Sequence, residues 1–273
     1  MLDVARWLIH RLLAVLDAVG HRSVAVLEEA GYVFSLLLES LYWAAVGRWV
    51  QQPVRLAPIF SAAMSVGVTA IPIVALASFA VGTMLAIQGI YSLRAYGAES
   101  RVVLAVAISV TREFAPLITG IFVAGRSASA IAAQIGTMQV AQEIDALSVI
   151  GINPVRYLVS PLLLAMLVTM PALVVMSNFI ALSGSALYCN LELGMPFSAY
   201  VESTMDVLKP GDVWQGLAKS FVFATIITLV GASNGFMVRA GAEGVGKATT
   251  RSVVVSIASI ILADMIFSYF QSR

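Results

Sequence analysis

The chain has 273 residues, of which 60% are hydrophobic and only 11% are charged. An average soluble domain has about 25% charged residues, so this composition, with a mean hydropathy of +0.93, excludes an ordinary water-facing surface. The formal net charge of +1 gives no electrostatic basis for a nucleic-acid partner. Cys189 is the single cysteine and the chain has two histidines, so neither a disulfide nor a metal site is expected.

Residues 1–55 are predicted to form an interfacial amphipathic helical region. Apolar residues recur there at helical spacing, and charged residues interrupt them; the apolar set includes Val4, Leu8, Leu12, Val15 and Val19. Helices of this kind lie in the plane of the membrane surface. Trp43 and Trp49, beside Arg48, fit the same interface, where aromatic rings and basic groups gather.

Residues 56–273 are predicted to form an all-α integral membrane domain. The ranges 56–93, 157–191 and 220–238 contain no charged residue, and 102–125 and 252–270 contain only isolated charges. A membrane helix needs about 20 mostly apolar residues, and its backbone groups must pair within the segment. We therefore predict about five spans, at 61–93, 102–125, 157–189, 214–238 and 251–270.

The distribution of Lys and Arg predicts the orientation of these spans. The segments 1–61, 126–156 and 239–251 hold ten basic residues, whereas 94–101 and 192–212 hold three. Cytoplasmic loops carry the excess of basic residues. The amino terminus is therefore expected in the cytoplasm and, after five spans, the carboxyl terminus outside it.

Arg112 and Glu113 are charged residues inside the otherwise apolar second span, and Asp264 lies in the last. Ionisable groups within a span are costly and face a cavity or a partner. Two interpretations stay open here. Arg112 and Glu113 line a polar patch beside a substrate path, or they lock helices together, with Asp264 as a partner.

The segment 137–150 has the pattern of a short amphipathic helix. Val140, Ile144 and Leu147 form one apolar stripe, and Glu143 and Asp145 lie off it. Gly151 and the pair Asn153-Pro154 then end the helix. A helix of this kind can lie on the membrane or dock into a groove of a partner, and periodicity does not decide between them.

Residues 241–248 read Gly-Ala-Glu-Gly-Val-Gly-Lys-Ala, one residue short of a P-loop. Ala248 stands where Ser or Thr would bind magnesium, and a span precedes the segment where a P-loop requires a strand. We interpret it as a glycine turn between two spans, with Thr249 or Thr250 capping the last helix. No metal-ligand helix, nucleophile elbow or triad occurs, so no catalytic residue and no cofactor are predicted.

Several blocks together resemble the MlaE (YrbE) permease family over about residues 56–270. They are Ala86-Ile87-Gln88-Gly89, Arg112-Glu113-Phe114-Ala115-Pro116, Ala124-Gly125-Arg126, Gly136-Thr137-Met138, Glu143-Ile144-Asp145-Ala146-Leu147, Gly151-Ile152-Asn153-Pro154-Val155-Arg156-Tyr157 and residues 241–250. Because long blocks occur in the right order, the match is far more specific than any single motif.

The resemblance implies a homodimer of interfacial and spanning helices in the inner membrane, with a periplasmic carboxyl terminus. It implies a cytoplasmic ABC ATPase partner (MlaF-like), an MCE-domain partner (MlaD-like) and often a STAS-domain partner (MlaB-like). It also implies a coupling helix at 137–150, and a lipid pocket on the first two spans. The coupling residues would be Val140, Glu143, Ile144, Asp145 and Leu147, and the lipid-binding residues Gln88, Ile90, Tyr91, Arg112 and Glu113.

The function implied is that of a permease subunit that moves phospholipid between the inner membrane and an MCE protein, toward or from the outer membrane. ATP hydrolysis would then occur in a separate subunit. Two other functions stay open: a proton-coupled secondary transporter of hydrophobic compounds that uses Arg112, Glu113 and Asp264, and a scaffold that holds an MCE protein without moving lipid.

Overall fold

The computed structural model describes Gly20, Val24 and residues 27–47, 56–239 and 241–271. The amphipathic pattern at residues 4–19, with Arg48 and Trp49, lies outside the described residues. An amino-terminal helix covers 27–46. Five helices long and apolar enough to cross a membrane follow: Leu56–Arg94, Glu99–Val140, Val155–Leu193, Pro210–Phe236 and Gly241–Gln271. The all-α membrane fold with five spans is thus confirmed.

Two short helices connect the spans and mark opposite ends of the bundle. The loop helix, Glu143–Val149, joins the second span to the third. The connecting helix, Phe197–Val207, joins the third span to the fourth. Because consecutive spans alternate in direction, the second span ends and the fifth begins at the loop-helix end of the bundle.

The second span continues well past the predicted residue 125 and ends at Val140. Residues 137–140 therefore belong to this span, and only Glu143–Val149 forms the separate loop helix. The break between them lies at Gln142, whose φ of 58° is left-handed. A residue in that conformation cannot continue a right-handed helix. The predicted helix 137–150 is thus two helices separated by a turn.

The predicted glycine turn at residues 241–248 is wrong. Gly241–Gln271 is one continuous helix, and the hydroxyls of Thr249 and Thr250 donate to the carbonyl of Gly246 inside it rather than capping its start. Glycine costs only about 1 kcal/mol in a helix interior. The segment has packing to offset that cost, because Val245 lies beside Gly136 of the second span.

Widened helical turns precede three prolines in the spans. The π-helical turns Val110–Phe114 and Val155–Val159 come before Pro116 and Pro161, and Ala63–Gly67 comes before Pro72. Proline lacks an N–H group and its ring clashes with the carbonyl four residues earlier. The carbonyls four residues before Pro116 and Pro161, those of Arg112 and Tyr157, lie inside these turns, so the inserted residue relieves the clash there and re-aims neighbouring side chains. Arg112 and Glu113 both lie in such a turn.

Small residues let the first and third spans pack at backbone distance. A Cβ atom added at Gly82 would overlap the carbonyl oxygen of Ala181. The hydroxyls of Ser78 and Ser177 lie 2.7 Å apart in the same interface. The third and fourth spans are the most buried, whereas the first and fifth expose most of their surface.

The amino-terminal helix is fixed to the loop-helix end of the bundle. Glu39 accepts a hydrogen bond of 2.7 Å from Asn153, and the Arg156 guanidinium lies 5.3 Å from the Trp43 ring centre. Leu36 is buried in the main core. Asn153 also accepts a bond from the backbone N–H of Arg156, so it ties the helix to the start of the third span.

Candidate functional site

Arg112 forms an ion pair with Asp212 at the start of the fourth span. Its Nε and a terminal nitrogen both donate to Asp212 Oδ1, at 2.8 and 2.6 Å. The other oxygen of Asp212 accepts the backbone N–H of Lys209 at 2.9 Å, so this carboxylate also caps the fourth span. The Asp212 side chain is 5% exposed, whereas that of Arg112 is 41% exposed. Arg112 is therefore held in place but keeps a free face.

Glu113 takes part in a second, more buried cluster. The ammonium of Lys219 is 0% exposed and contacts Glu113 Oε2 and, at 2.9 Å, Asp264 Oδ1. The hydroxyl of Ser268 donates to the Glu113 carboxylate at 3.1 Å. These four residues, which we call the Lys219 cluster, join the second, fourth and fifth spans.

The structure thus places the three predicted intramembrane charges on two separate networks. Glu113 and Asp264 share Lys219 as their common partner, so the expected partnership of Asp264 with Glu113 runs through a lysine that the helix-lock interpretation did not include. The sequence analysis missed the partners of these charges, namely Asp212, which pairs with Arg112, and Lys219, which pairs with Glu113 and Asp264. A signal existed for Lys219, since it is a lysine inside the predicted fourth span.

The predicted lipid-binding residues of the first span do not share one environment. Ile90 is buried in a core cluster that also contains Val102 and Val106 of the second span. Gln88 and Tyr91 are exposed, and they lie three residues apart on one helix face. On the first span, Gln88 and Tyr91 are therefore accessible to a ligand, whereas Ile90 is a core residue.

The loop helix presents a mixed acidic and apolar surface. Ile144 is buried in the core, so the predicted stripe points mainly inward and Leu147 is only half-buried. Glu143 and Asp145 are exposed, as is Val140. Val149 and Ile150, which the sequence reasoning passed over, are 86% and 68% exposed.

A groove of about 630 Å³ lies between the amino-terminal helix and the fourth and fifth spans. Its walls are mainly apolar, and Glu29 and Arg251 form an ion pair of 2.5 Å beside it. Among the described residues, no group of three or more His, Cys, Asp or Glu could hold a metal ion.

Comparison with known proteins agrees with this architecture. The family model described as Permease MlaE matches residues 59–270. A probable ABC transporter permease protein of Rickettsia felis is 35% identical over 257 residues, which cover 94% of this chain and 97% of that protein.

Two further relatives come from photosynthetic organisms. Protein TRIGALACTOSYLDIACYLGLYCEROL 1, chloroplastic, of Arabidopsis thaliana is 36% identical over 195 residues, covering 71% of this chain and 56% of that protein. A probable ABC transporter permease protein of Synechocystis is 34% identical over 189 residues, covering 69% and 72%. The match covers nearly all of the five-span transmembrane domain of this chain. The chain therefore belongs to the MlaE family of permeases.

Proposed function

We propose that this chain is the permease subunit of an ABC-type lipid transporter, which moves phospholipid between the inner membrane and an MCE protein. The observation that carries the proposal is the match of residues 59–270 to the MlaE permease model. Relatives named as probable ABC transporter permeases support it. In this proposal the chain works as a homodimer and has no catalytic residues of its own.

The loop helix supports the proposal of a separate ATPase subunit. Val149 and Ile150 expose large apolar side chains next to the acidic Glu143 and Asp145. An exposed apolar contact bordered by charges is typical of a protein interface, and the acidic residues would select a basic partner surface. The ATPase would therefore contact Val149 and Ile150, while Ile144 transmits movement to the bundle core.

Arg112 supports the proposal that the substrate is a phospholipid. Its guanidinium is fixed by Asp212, yet the side chain remains 41% exposed, and a guanidinium binds phosphate through a planar fork of donors. Glu113 is held by Lys219 and Ser268 instead. We therefore assign headgroup contact to Arg112, with Gln88 and Tyr91 as further contacts, and a helix-locking role to Glu113.

The test of this assignment uses three variants of the purified transporter complex. Arg112→Met leaves the buried Asp212 carboxylate unpaired, so a loss of function in it alone is ambiguous. The double variant Arg112→Met/Asp212→Asn removes that stranded charge. Asp212→Asn alone keeps the Arg112 charge.

In the proposal, Asp212→Asn transfers lipid, while the double variant assembles but loses transfer about tenfold, which corresponds to about 1.4 kcal/mol. Transfer of labelled phospholipid to acceptor vesicles measures this. Parent-rate transfer by the double variant would show that Arg112 acts only as a structural partner of Asp212.

Transport itself is tested by inactivating the ATPase in an intact complex. Loss of lipid transfer, with all subunits still co-purifying, supports an ATP-driven permease. Transfer that continues without ATP hydrolysis and follows a proton gradient would support the secondary transporter, for which Glu113 and Asp264 are the observed carboxylates. A complex that never transfers lipid would support the scaffold that holds an MCE protein without moving lipid.

A STAS-domain partner and the MCE partner are identified by the same co-purification.

A further inference from the structure

We propose that the groove between the amino-terminal helix and the fourth and fifth spans binds a zwitterionic phospholipid as a resident ligand. This site is separate from Arg112, Gln88 and Tyr91, and it does not depend on the proposed transport activity. Its volume of about 630 Å³ lies in the range of ligand pockets, which is about 300–1,000 Å³.

The residues that line the groove, which we also call the slot, extend over two or more turns of each of its three helices. Its wall on the fifth span runs from Arg251 through Val255 to Ser259, positions four residues apart that lie on one helix face over ~12 Å. The wall on the amino-terminal helix runs from Glu29 to Leu37, also ~12 Å. The fourth span lines the groove from Thr225 to Asn234, ~14 Å, so all three helices offer a lining of similar length, which fits part of an acyl chain.

The interior of the slot is apolar, apart from a few hydroxyl and amide groups. Val33, Ile226, Leu229 and Val255 are among the apolar residues that line it. Ser233 borders the slot, is fully buried, and its hydroxyl has no hydrogen-bond partner within the described part of the chain. A buried hydroxyl without a partner costs about 1–3 kcal/mol. An ester oxygen of a lipid in the slot would offer the missing acceptor.

The charges at the end of the slot select the headgroup. Arg251 and Glu29 are paired at 2.5 Å, with side chains 53% and 24% exposed. A purely anionic headgroup would meet the Arg251 guanidinium but also the repelling Glu29 carboxylate. A headgroup with both a phosphate and an ammonium, such as that of phosphatidylethanolamine, complements both charges. Glu29 and Arg251 are the charged residues that line the groove.

The location of the groove favours a bilayer lipid as its ligand. Two of its three walls are membrane spans, so the surrounding medium is the bilayer. Arg251 directly precedes the apolar part of the fifth span, residues 252–270, so it lies at the depth of the membrane surface on the loop-helix side. That depth suits a headgroup of the leaflet at the loop-helix end, which the basic residues predict to be the cytoplasmic one.

The experiment uses the full chain in nanodiscs that contain phosphatidylethanolamine with a photoreactive group on one acyl chain. Cross-linked residues are mapped by mass spectrometry. Ser259→Phe fills the slot from the fifth span, and Ala30→Phe fills it from the amino-terminal helix. Ala258→Phe is the matched control, since Ala258 is exposed and is not among the residues that line the groove.

We expect cross-links on the residues that line the slot in the parent and in Ala258→Phe, and at least a fivefold loss in both filled variants. Absence of these cross-links from the parent, or equal cross-linking in the filled variants, overturns the site. Competition with unlabelled lipid tests the headgroup. Phosphatidylethanolamine is expected to displace the probe better than phosphatidylglycerol, and Glu29→Gln should abolish this preference. Equal or better displacement by phosphatidylglycerol in the parent overturns the headgroup assignment.

Discussion

Lys219 is the residue whose removal tests the helix-locking cluster most directly. In Lys219→Met the ammonium is replaced by an apolar chain of similar length, and the contacts with Glu113, Asp264 and Ser268 are lost. The two carboxylates then face each other without a cation. Removing one partner of a buried ion pair costs about 3–5 kcal/mol, because it strands a charge.

The exposure of the two carboxylates indicates that the cost in unfolding free energy lies at the lower end of the range of about 3–5 kcal/mol. Asp264 is 14% exposed and would be stranded, whereas Glu113 is 35% exposed and water can solvate it. We therefore expect a loss of about 3 kcal/mol. For a chain of this size each kcal/mol lowers the melting temperature by about 2–4 °C, so the expected drop is about 6–12 °C.

The chain offers a matched control for this substitution. Lys247 pairs with Glu243 one helical turn away, and both side chains are 78% exposed. Exposed pairs of this kind contribute about 0.3–0.5 kcal/mol, so Lys247→Met should lower the melting temperature by no more than about 2 °C. Thermal unfolding of both purified variants in one detergent at pH 7 measures the difference. Equal melting temperatures for Lys219→Met and Lys247→Met would refute the reasoning.

Three further outcomes are expected. Gly82→Ala should push the first and third spans apart and lower the free energy of unfolding by about 3 kcal/mol, as measured by thermal unfolding. Gly125→Ala is the control and should change stability little, because there is open space around its Cβ position. Similar losses in the two variants would contradict the close packing at Gly82. Val149→Asp or Ile150→Asp should leave folding intact but reduce ATPase co-purification at least tenfold, and unchanged co-purification would remove the loop helix from the interface. The isolated subunit should not bind ATP by equilibrium dialysis, and micromolar binding abolished by Lys247→Ala would overturn the assignment of ATP hydrolysis to a separate subunit.

The loop helix illustrates what a periodic pattern leaves open. The sequence predicts a short amphipathic helix near Glu143 from apolar residues at helical spacing. The pattern does not state which side of that helix faces the bundle. In the structure Ile144 packs into the core, and the neighbouring Val149 and Ile150 carry the exposed apolar surface.

The residues of the first span show the same limit. Gln88, Ile90 and Tyr91 are expected to act together, but Ile90 is buried in the core cluster that includes Val102 and Val106, whereas Gln88 and Tyr91 are exposed. Adjacent helical positions differ by about 100° in direction, so close positions in sequence face different neighbours. The prediction of a glycine turn at residues 241–248 was wrong for another reason: its glycines lower helix propensity, and packing beside Gly136 offsets that local preference.

The sequence by itself determined the class of protein, the five spans and the presence of Arg112, Glu113 and Asp264 inside them. These follow from local properties, because a window of about 20 apolar residues must be helical in a bilayer. Only the tertiary structure decided which charges meet. Arg112 pairs with Asp212 100 residues away, and Glu113 with Lys219 106 residues away. Such pairings depend on the rotation and depth of packed helices, which one helix considered alone does not specify.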